Sequence, residues 1–224
     1  MNFLSKNKQS NCQCSKTNDP NGNCDGSHAK KNKSINFFTI LLGLILSSSI
    51  IFASNNIVNE KKINIKKSNI LWKGEKVTGS HEGNISIKSG LLNFDNSKLI
   101  GGEFEIDMNS IICTDLSGEY KMKLEGHLKS DDFFGVKNYP QASVIISKVV
   151  DNGNSNYKCS AKMTIKGITK NIDFVSTVND SNATTTIVID RTDFNIKYGS
   201  GSFFEGLGDK MIYDDFEITV NLVY

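Results

Sequence analysis

Apolar and polar residues alternate along most of the C-terminal part of the chain. In GGEFEIDM, Phe104, Ile106 and Met108 fall on one face, and the acidic residues between them fall on the other. FEITVNLVY alternates in the same way, with Phe216 and Ile218 on its apolar face. A period of two is the pattern of a strand with one face against a core and the other against water.

This alternation predicts about eight antiparallel strands, separated by turns. The predicted strands lie at 70–77, 83–88, 91–95, 101–108, 143–150, 157–165, 171–178, 184–190 and 216–224. Turn signals lie at KSG (88–90), DNGNSN (151–156), KGITKN (166–171, with a hairpin around Gly167) and NDSN (179–182). The fold class is therefore all-β, a closed barrel or a sandwich. An eight-stranded barrel is either filled by its own side chains or holds one small ligand, and alternation does not choose between the two.

Two segments interrupt the strands. HLKSDDFFGVKNYPQA (127–142) predicts a short helix or lid, with Phe133 and Phe134 just inside its first turn. GSGSFFEGLGDKM (199–211) has four glycines and a second Phe-Phe pair. We expect both segments to cover barrel ends.

An uncharged apolar segment precedes the strands. Residues 35–53 are nineteen residues without a charge, close to the roughly 20 needed to cross a hydrocarbon core of about 30 Å. A signal peptide cleaved near Ala53 is one interpretation, and an uncleaved anchor is the other. Because 34 residues precede the segment, the anchor is favoured. We expect a bacterial inner-membrane protein with its N-terminus in the cytoplasm and the large domain periplasmic or otherwise extracytoplasmic, since lysines lie close to the N-terminal flank.

The chain divides into a tail at 1–34, the apolar segment at 35–53, a linker at 54–68 and a β-domain at 69–224. Charge is distributed unevenly among these segments. The tail carries a net charge of +4, whereas residues 68–224 carry −5. An acidic domain with scattered charge lacks the electrostatic footprint of a nucleic-acid binder, so that class of partner is excluded.

Three cysteines and one histidine lie close together in the tail. Their spacing is Cys12-x-Cys14-x9-Cys24-x3-His28. Thiolate and imidazole ligands suit either a tetrahedral zinc site or a pair of irons. A disulfide pair is the alternative, but it leaves a third cysteine over and His28 unexplained.

The sequence CDGSH at 24–28 resembles the signature of the CDGSH iron–sulfur family. That resemblance implies a [2Fe–2S] cluster with Cys12, Cys14, Cys24 and His28 as ligands, and zinc is the alternative metal. It also raises the prospect of a homodimer formed through the tail.

Five segments of the β-domain occur in the order found in one known family. They are GSHEGNISIKSG (79–90), GGEFEIDMNSI (101–111), HLKSDDFFGVKNYPQA (127–142), KMTIKGITKNIDF (162–174) and IDRTDFNIKYG (189–199). Through these segments the β-domain resembles the YceI-like family, the polyisoprenoid-binding domain. The resemblance implies an exported, lipocalin-like antiparallel barrel that holds a polyprenyl or quinone-type isoprenoid in an apolar interior.

Strand faces suggest which side chains would line such an interior. The predicted cavity residues are Phe104, Ile106, Met108, Met163, Phe174, Phe216 and Ile218, with Phe133 and Phe134 from the lid. Arg191, the sole arginine, has two interpretations: it contacts a ligand head group, or it forms a structural ion pair with Asp190 or Asp193. The structural pair is favoured.

A hydrolase would need a serine beside a histidine. Ser80 with His81 and Ser130 with His127 are the available combinations, and neither lies in a Gly-x-Ser-x-Gly elbow. We interpret both histidines as structural and the barrel as non-catalytic.

The β-domain also carries two cysteines. Cys113 and Cys159 could pair outside the cytoplasm, although such residues are more often inert and buried.

The sequence thus predicts a membrane-anchored isoprenoid-binding protein with an iron–sulfur or zinc site at its N-terminus. The alternative is a redox or metal-sensing protein that acts through the tail, with the barrel as a module for binding a partner.

We expect a cluster in the tail to be labile in acid, because a protonated imidazole no longer binds metal. The visible absorbance of the full-length protein should bleach faster as the pH falls through the histidine range. His28→Cys should slow that loss, and equally fast bleaching in the variant would contradict the prediction.

Overall fold

A computed structural model of the protein describes residues 58–224. The four predicted metal ligands and the apolar segment at 35–53 lie outside the described residues. Within the described range, no helix has the length and apolar character needed to cross a bilayer.

The described chain is built from nine strands and one α-helix. In order they are β1 (Asn59–Lys62), β2 (Asn69–Lys76), β3 (Gly79–Asp95), β4 (Lys98–Cys113), α1 (Gly118–Lys129), β5 (Gln141–Asp151), β6 (Asn156–Ile165), β7 (Ile168–Val178), β8 (Asn182–Asp190) and β9 (Ile212–Val223). Two short 3₁₀ turns, Arg191–Phe194 and Gly208–Lys210, lie between β8 and β9.

The strands form one closed antiparallel barrel. Their order is β3-β2-β9-β8-β7-β6-β5-β4, and pairing between β3 and β4 closes the ring. β1 pairs with the C-terminal half of β3 (Asn59↔Phe94), whereas β2 pairs with the N-terminal half (Ile70↔Ile85). β1 and β2 therefore act as two parts of one barrel strand, and the predicted all-β barrel of about eight strands is confirmed.

Tight turns join neighbouring strands. Lys166 and Gly167 link β6 to β7, and Asn96 and Ser97 link β3 to β4, all with positive φ. Such turns match the right-handed twist of the strands they connect. The predicted hairpin around Gly167 is confirmed.

Two local expectations are wrong. The predicted linker at 54–68 contains β1 and the buried Ile63, because pairing with β3 carries the barrel further toward the N-terminus. KSG at 88–90 is not a turn but part of the long β3, where Gly90 pairs with Phe104. The cross-strand partner overrides the local turn preference of these residues.

The segment predicted as a short helix or lid, 127–142, contains only the last residues of a helix. The helix is α1, and only turns follow it up to the start of β5. None of the helix residues is buried, although Leu128 packs partly buried against the core. Two i,i+4 ion pairs, Glu119–Lys123 and Lys121–Glu125, support the helix instead.

The two ends of the barrel differ. One end, called here the helix end, carries α1, the turns at 130–140 and the long connection at 191–211. Within that connection, Phe194 and Ile196 are 1% and 0% exposed. The opposite end, called here the turn end, has the short connections at 96–97, 152–155 and 179–181.

We expect Gly83→Ala to destabilise the barrel by about 1–3 kcal/mol, the usual cost of overpacking. A Cβ at Gly83 would lie 1.8 Å from the carbonyl oxygen of Ile112 and 2.7 Å from the ring of Trp72. That ring donates its own hydrogen bond to the same carbonyl. Gly74→Ala is the control, since nothing lies within 4 Å of its Cβ position. Equal urea midpoints for the two variants would contradict this account.

Candidate ligand cavity

The interior of the barrel holds a cavity of about 210 Å³. Inward-facing side chains from every strand from β2 to β9 line it. For scale, an engineered apolar cavity of about 150 Å³ takes up benzene. The barrel is therefore not filled by its own side chains, and its interior offers space to an apolar ligand.

The polarity of the lining is graded along the barrel. Among the described lining residues, Glu75, Arg191 and Asp215 carry formal charges, and all three lie toward the helix end. The lining near the turn end includes Leu92 and Leu222, both buried. An elongated ligand would have its apolar part deep in the barrel and any polar part near the helix end.

All nine predicted cavity residues line this space. They are Phe104, Ile106, Met108, Phe133, Phe134, Met163, Phe174, Phe216 and Ile218. Their contact with a ligand remains a prediction. Sequence reasoning missed other lining residues, such as Trp72, Ile87, Val144 and Ile187, although the same alternation on their strands could have found them.

Aromatic packing covers the cavity at the helix end. The ring centroids of Phe133 and His127 lie 4.9 Å apart, and those of His127 and Tyr198 lie 4.4 Å apart, both edge-on. Phe134 contacts Phe216 of β9 with centroids 6.4 Å apart. Edge-on aromatic pairs stabilise a fixed arrangement. The turn after α1 therefore covers the cavity as expected, although it is not helical.

The second Phe-Phe pair behaves differently. Phe203 and Phe204 are about half exposed, at 48% and 50%, and neither lines the cavity. Both aromatic segments were expected to cover a barrel end. Phe133 and Phe134 do so, whereas Phe203 and Phe204 do not.

Arg191 is buried at the helix end and is held by backbone carbonyls. Its Nε donates to Tyr213, its Nη1 to Ile196 and its Nη2 to Ile212, at 2.8–3.0 Å. Its Nη2 also lies 3.2 Å from Asp214 Oδ1. These contacts tie the start of β9 to the turn after β8.

The ion pair of Arg191 corrects the sequence-based expectation. The partner is Asp214, across the barrel end, and neither Asp190 nor Asp193. Burial lowers the pKa of Arg191, and the nearby Asp214 opposes that shift. Burial acts to raise the pKa of Asp214, but hydrogen bonds from serine hydroxyls, including Ser202, and the charge of Arg191 outweigh it, so the pKa is lowered.

A second polar cluster lies outside the cavity, around Asp115. His81 Nδ1 lies 2.8 Å from its carboxylate, and Cys113 Sγ and the amide of Glu82 donate to the same group. Burial acts to raise the pKa of Asp115, but the bonds from Cys113 and His81 lower it well below its usual range. His81 is thus held by a carboxylate, which agrees with a structural role.

The serine next to His127 does not face its ring. Ser130 Oγ donates to the backbone carbonyl of His127 at 2.7 Å, while the imidazole packs among aromatic rings.

Cys113 and Cys159 are both free and buried. Burial raises the pKa of Cys159 to about 11, so its thiol is a poor nucleophile.

An antiparallel eight-stranded barrel around an apolar cavity defines a lipocalin-like class of binding protein. Residues 62–224 match the YceI-like domain, and the chain belongs to that family. A UPF0312 protein of Shewanella denitrificans is 28% identical over 81 residues, which is 36% of this chain and 40% of that protein. A UPF0312 protein of Pseudomonas putida is 27% identical over 120 residues, 48% of this chain and 59% of that protein. The chain thus matches only about half the length of these curated relatives.

Solved structures share the fold. BcnA of Burkholderia cenocepacia matches with a TM-score of 0.58 and 24% identity, over 72% of this chain and 99% of its own. A polyisoprenoid binding domain from Saccharophagus degradans, implicated in plant cell wall breakdown, matches with a TM-score of 0.50 and 13% identity, over 74% and 97%. At these identities, the similarity shows a shared barrel fold and nothing more.

We expect Asp214→Asn to destabilise the protein by about 3 kcal/mol at neutral pH, because it leaves the buried Arg191 without its counter-charge. The pKa of Asp214 is lowered in the folded state, so its contribution is complete above its ordinary pKa of 3.8 and is lost as the pH falls below that value. Urea midpoints of wild type and variant should therefore differ at pH 7 and converge in acid. Asp132→Asn, at an exposed turn, is the control. A gap that stays constant down to pH 3 would contradict the assignment.

Proposed function

We propose that the barrel domain binds an isoprenoid chain, of the polyprenyl or quinone type, inside its cavity. The observation that carries this proposal is the apolar cavity with its few charges gathered at one end. Each buried CH₂ contributes about 0.8 kcal/mol, so a branched hydrocarbon chain would be retained by contact area alone. Family membership and the polyisoprenoid-binding neighbour support the same ligand class.

The charges at the helix end favour a neutral head group. Arg191 is the one cationic residue among the described residues that line the cavity, and it is already paired with Asp214. A quinone ring or an alcohol needs no free cation, whereas a phosphate would be left without a counter-charge in the cavity. The quinone-type isoprenoid is therefore the preferred ligand.

The membrane location is part of the proposal. The segment at 35–53 anchors the chain, with the tail in the cytoplasm and the barrel periplasmic or extracytoplasmic. Its support is the length and apolar character of that segment. An anchored barrel would stay next to the bilayer, where isoprenoid lipids reside.

A second function is proposed for the tail. The spacing of Cys12, Cys14, Cys24 and His28, together with CDGSH, supports a [2Fe–2S] site, with zinc as the alternative. Such a cluster supplies one-electron transfer when bound. Cys24→Ala would remove a ligand without changing the barrel, so it separates this function from lipid binding.

We expect native protein, purified from the membrane of its source and extracted with organic solvent, to release an isoprenoid that mass spectrometry identifies. Ala183→Phe should reduce the recovered lipid about tenfold or more, since Ala183 is buried on the cavity lining and a phenyl ring would occupy ligand space. Val150→Phe, at an exposed site on β5 outside the cavity, is the matched control.

The outcome is interpreted only for variants that keep the wild-type melting temperature within a few degrees. An empty extract from folded wild-type protein would overturn the lipid-binding proposal. Equal lipid recovery from Ala183→Phe and wild type would place the lipid somewhere other than this cavity.

A further inference from the structure

One seam of the barrel is almost unpaired. β7 and β8 have 11 and 9 residues, but they pair only through Ser176↔Thr185, Thr177↔Thr184 and Val178↔Ala183. On their other edges the two strands are well paired: β7 shares ten register pairs with β6, and β8 shares nine with β9. Residues 168–175 and 186–190 therefore face each other without a ladder.

The backbone direction agrees with this gap. The carbonyl of Val175 faces β8, because it accepts a hydrogen bond from Thr185 Oγ1 at 2.8 Å. Backbone groups of alternate residues point the same way along a strand, so those of Asp173, Asn171 and Thr169 are also directed into the seam. A side-chain hydroxyl thus replaces the first missing ladder bond, and no further strand pairing follows toward the helix end of this seam.

The seam connects the cavity to the surface. On its inner side, Phe174, Ile187 and Ile189 line the cavity. On its outer side, Val175 and Val188 are 54% and 62% exposed. Apolar side chains therefore lie on both the inner and the outer side of the wall at this seam.

One ion pair crosses the open part of the seam. Lys170 Nζ of β7 lies 2.9 Å from Asp193 Oδ1, in the 3₁₀ turn that follows β8. Both side chains are about half exposed, at 41% and 55%. Exposed pairs of this kind are weak and form and break readily.

Opening elsewhere would cost more. Every other neighbouring pair among strands β2 to β9 shares at least six register pairs, so separating such strands breaks a longer ladder. Entry at the helix end would displace the packed rings of Phe133, His127 and Tyr198. A chain entering sideways through the seam meets neither obstacle and need not be threaded lengthwise.

We propose that the seam between β7 and β8 is a lateral portal through which the isoprenoid chain enters and leaves the cavity. The three pairs at its turn end act as the hinge, and the Lys170–Asp193 pair closes the open end reversibly. This inference rests on the proposed lipid-binding function and adds the route that the ligand takes.

The test measures uptake and release of a geranylgeranyl chain carrying a nitrobenzoxadiazole fluorophore, by stopped-flow fluorescence on the full-length protein. Val175→Trp combined with Val188→Trp places two indole rings over the seam. We expect both rates to fall about tenfold or more, since a barrier raised by little more than 1 kcal/mol has that effect. The Kd should stay within about twofold, because a portal changes both rates alike. Ile145→Trp, at an exposed isoleucine of β5 that is paired with both β4 and β6, should behave as wild type.

The ion pair provides a second, milder set of variants. Lys170→Glu should speed uptake and release about two- to fivefold, as expected from loss of one exposed pair. Adding Asp193→Lys should restore the wild-type rates by reversing the pair. Lys98→Glu breaks the comparable Lys98–Asp151 pair of β4 and β5 and should leave the rates unchanged.

Wild-type rates in the double-Trp variant, with the probe still bound, would overturn the portal and leave the lipid-binding function intact. Faster exchange in Lys98→Glu equal to that in Lys170→Glu would also overturn it. If the folded wild type neither binds the probe nor yields an extracted isoprenoid, the proposed function fails and the portal fails with it.

Discussion

Pairing between β3 and β4 closes the barrel, and the remaining features depend on that closure. The two long strands share eleven register pairs, from Gly83↔Cys113 to Asp95↔Lys98. Once the sheet is closed, the inner side chains are separated from water, and an apolar cavity can persist between them. An open sheet with the same alternation would need a second layer to cover its apolar face.

The helix end shows how polar groups are accommodated at the edge of such an interior. Arg191 is buried, but its guanidinium donates to three backbone carbonyls and faces Asp214. Buried charge is tolerated when it is paired and hydrogen-bonded, and removing one partner is costly. Arg191 is thus first a structural residue, and the cavity lining has no free cation among the described residues, which supports the proposed uncharged head group.

Individual residues show where sequence reasoning succeeded and failed. Phe104, Ile106, Met163 and Phe216 could be assigned to the interior because alternation is a local property of each strand. The partner of Arg191 could not be assigned, because Asp214 is brought to it only by the folding of β9 against β8. Local turn preference failed at KSG for the same reason, since β4 supplies the partners that keep β3 extended.

The sequence by itself determined the fold class and the inner faces of the strands, because periodicity acts over a few residues. The tertiary structure decided that the barrel is closed but not filled, and that β7 and β8 separate after three pairs. Nothing in the alternation of NIDFVSTV or TTTIVID marks that seam. Strand pairing depends on how twist and register accumulate around the whole ring, so it is settled only when the last two strands meet.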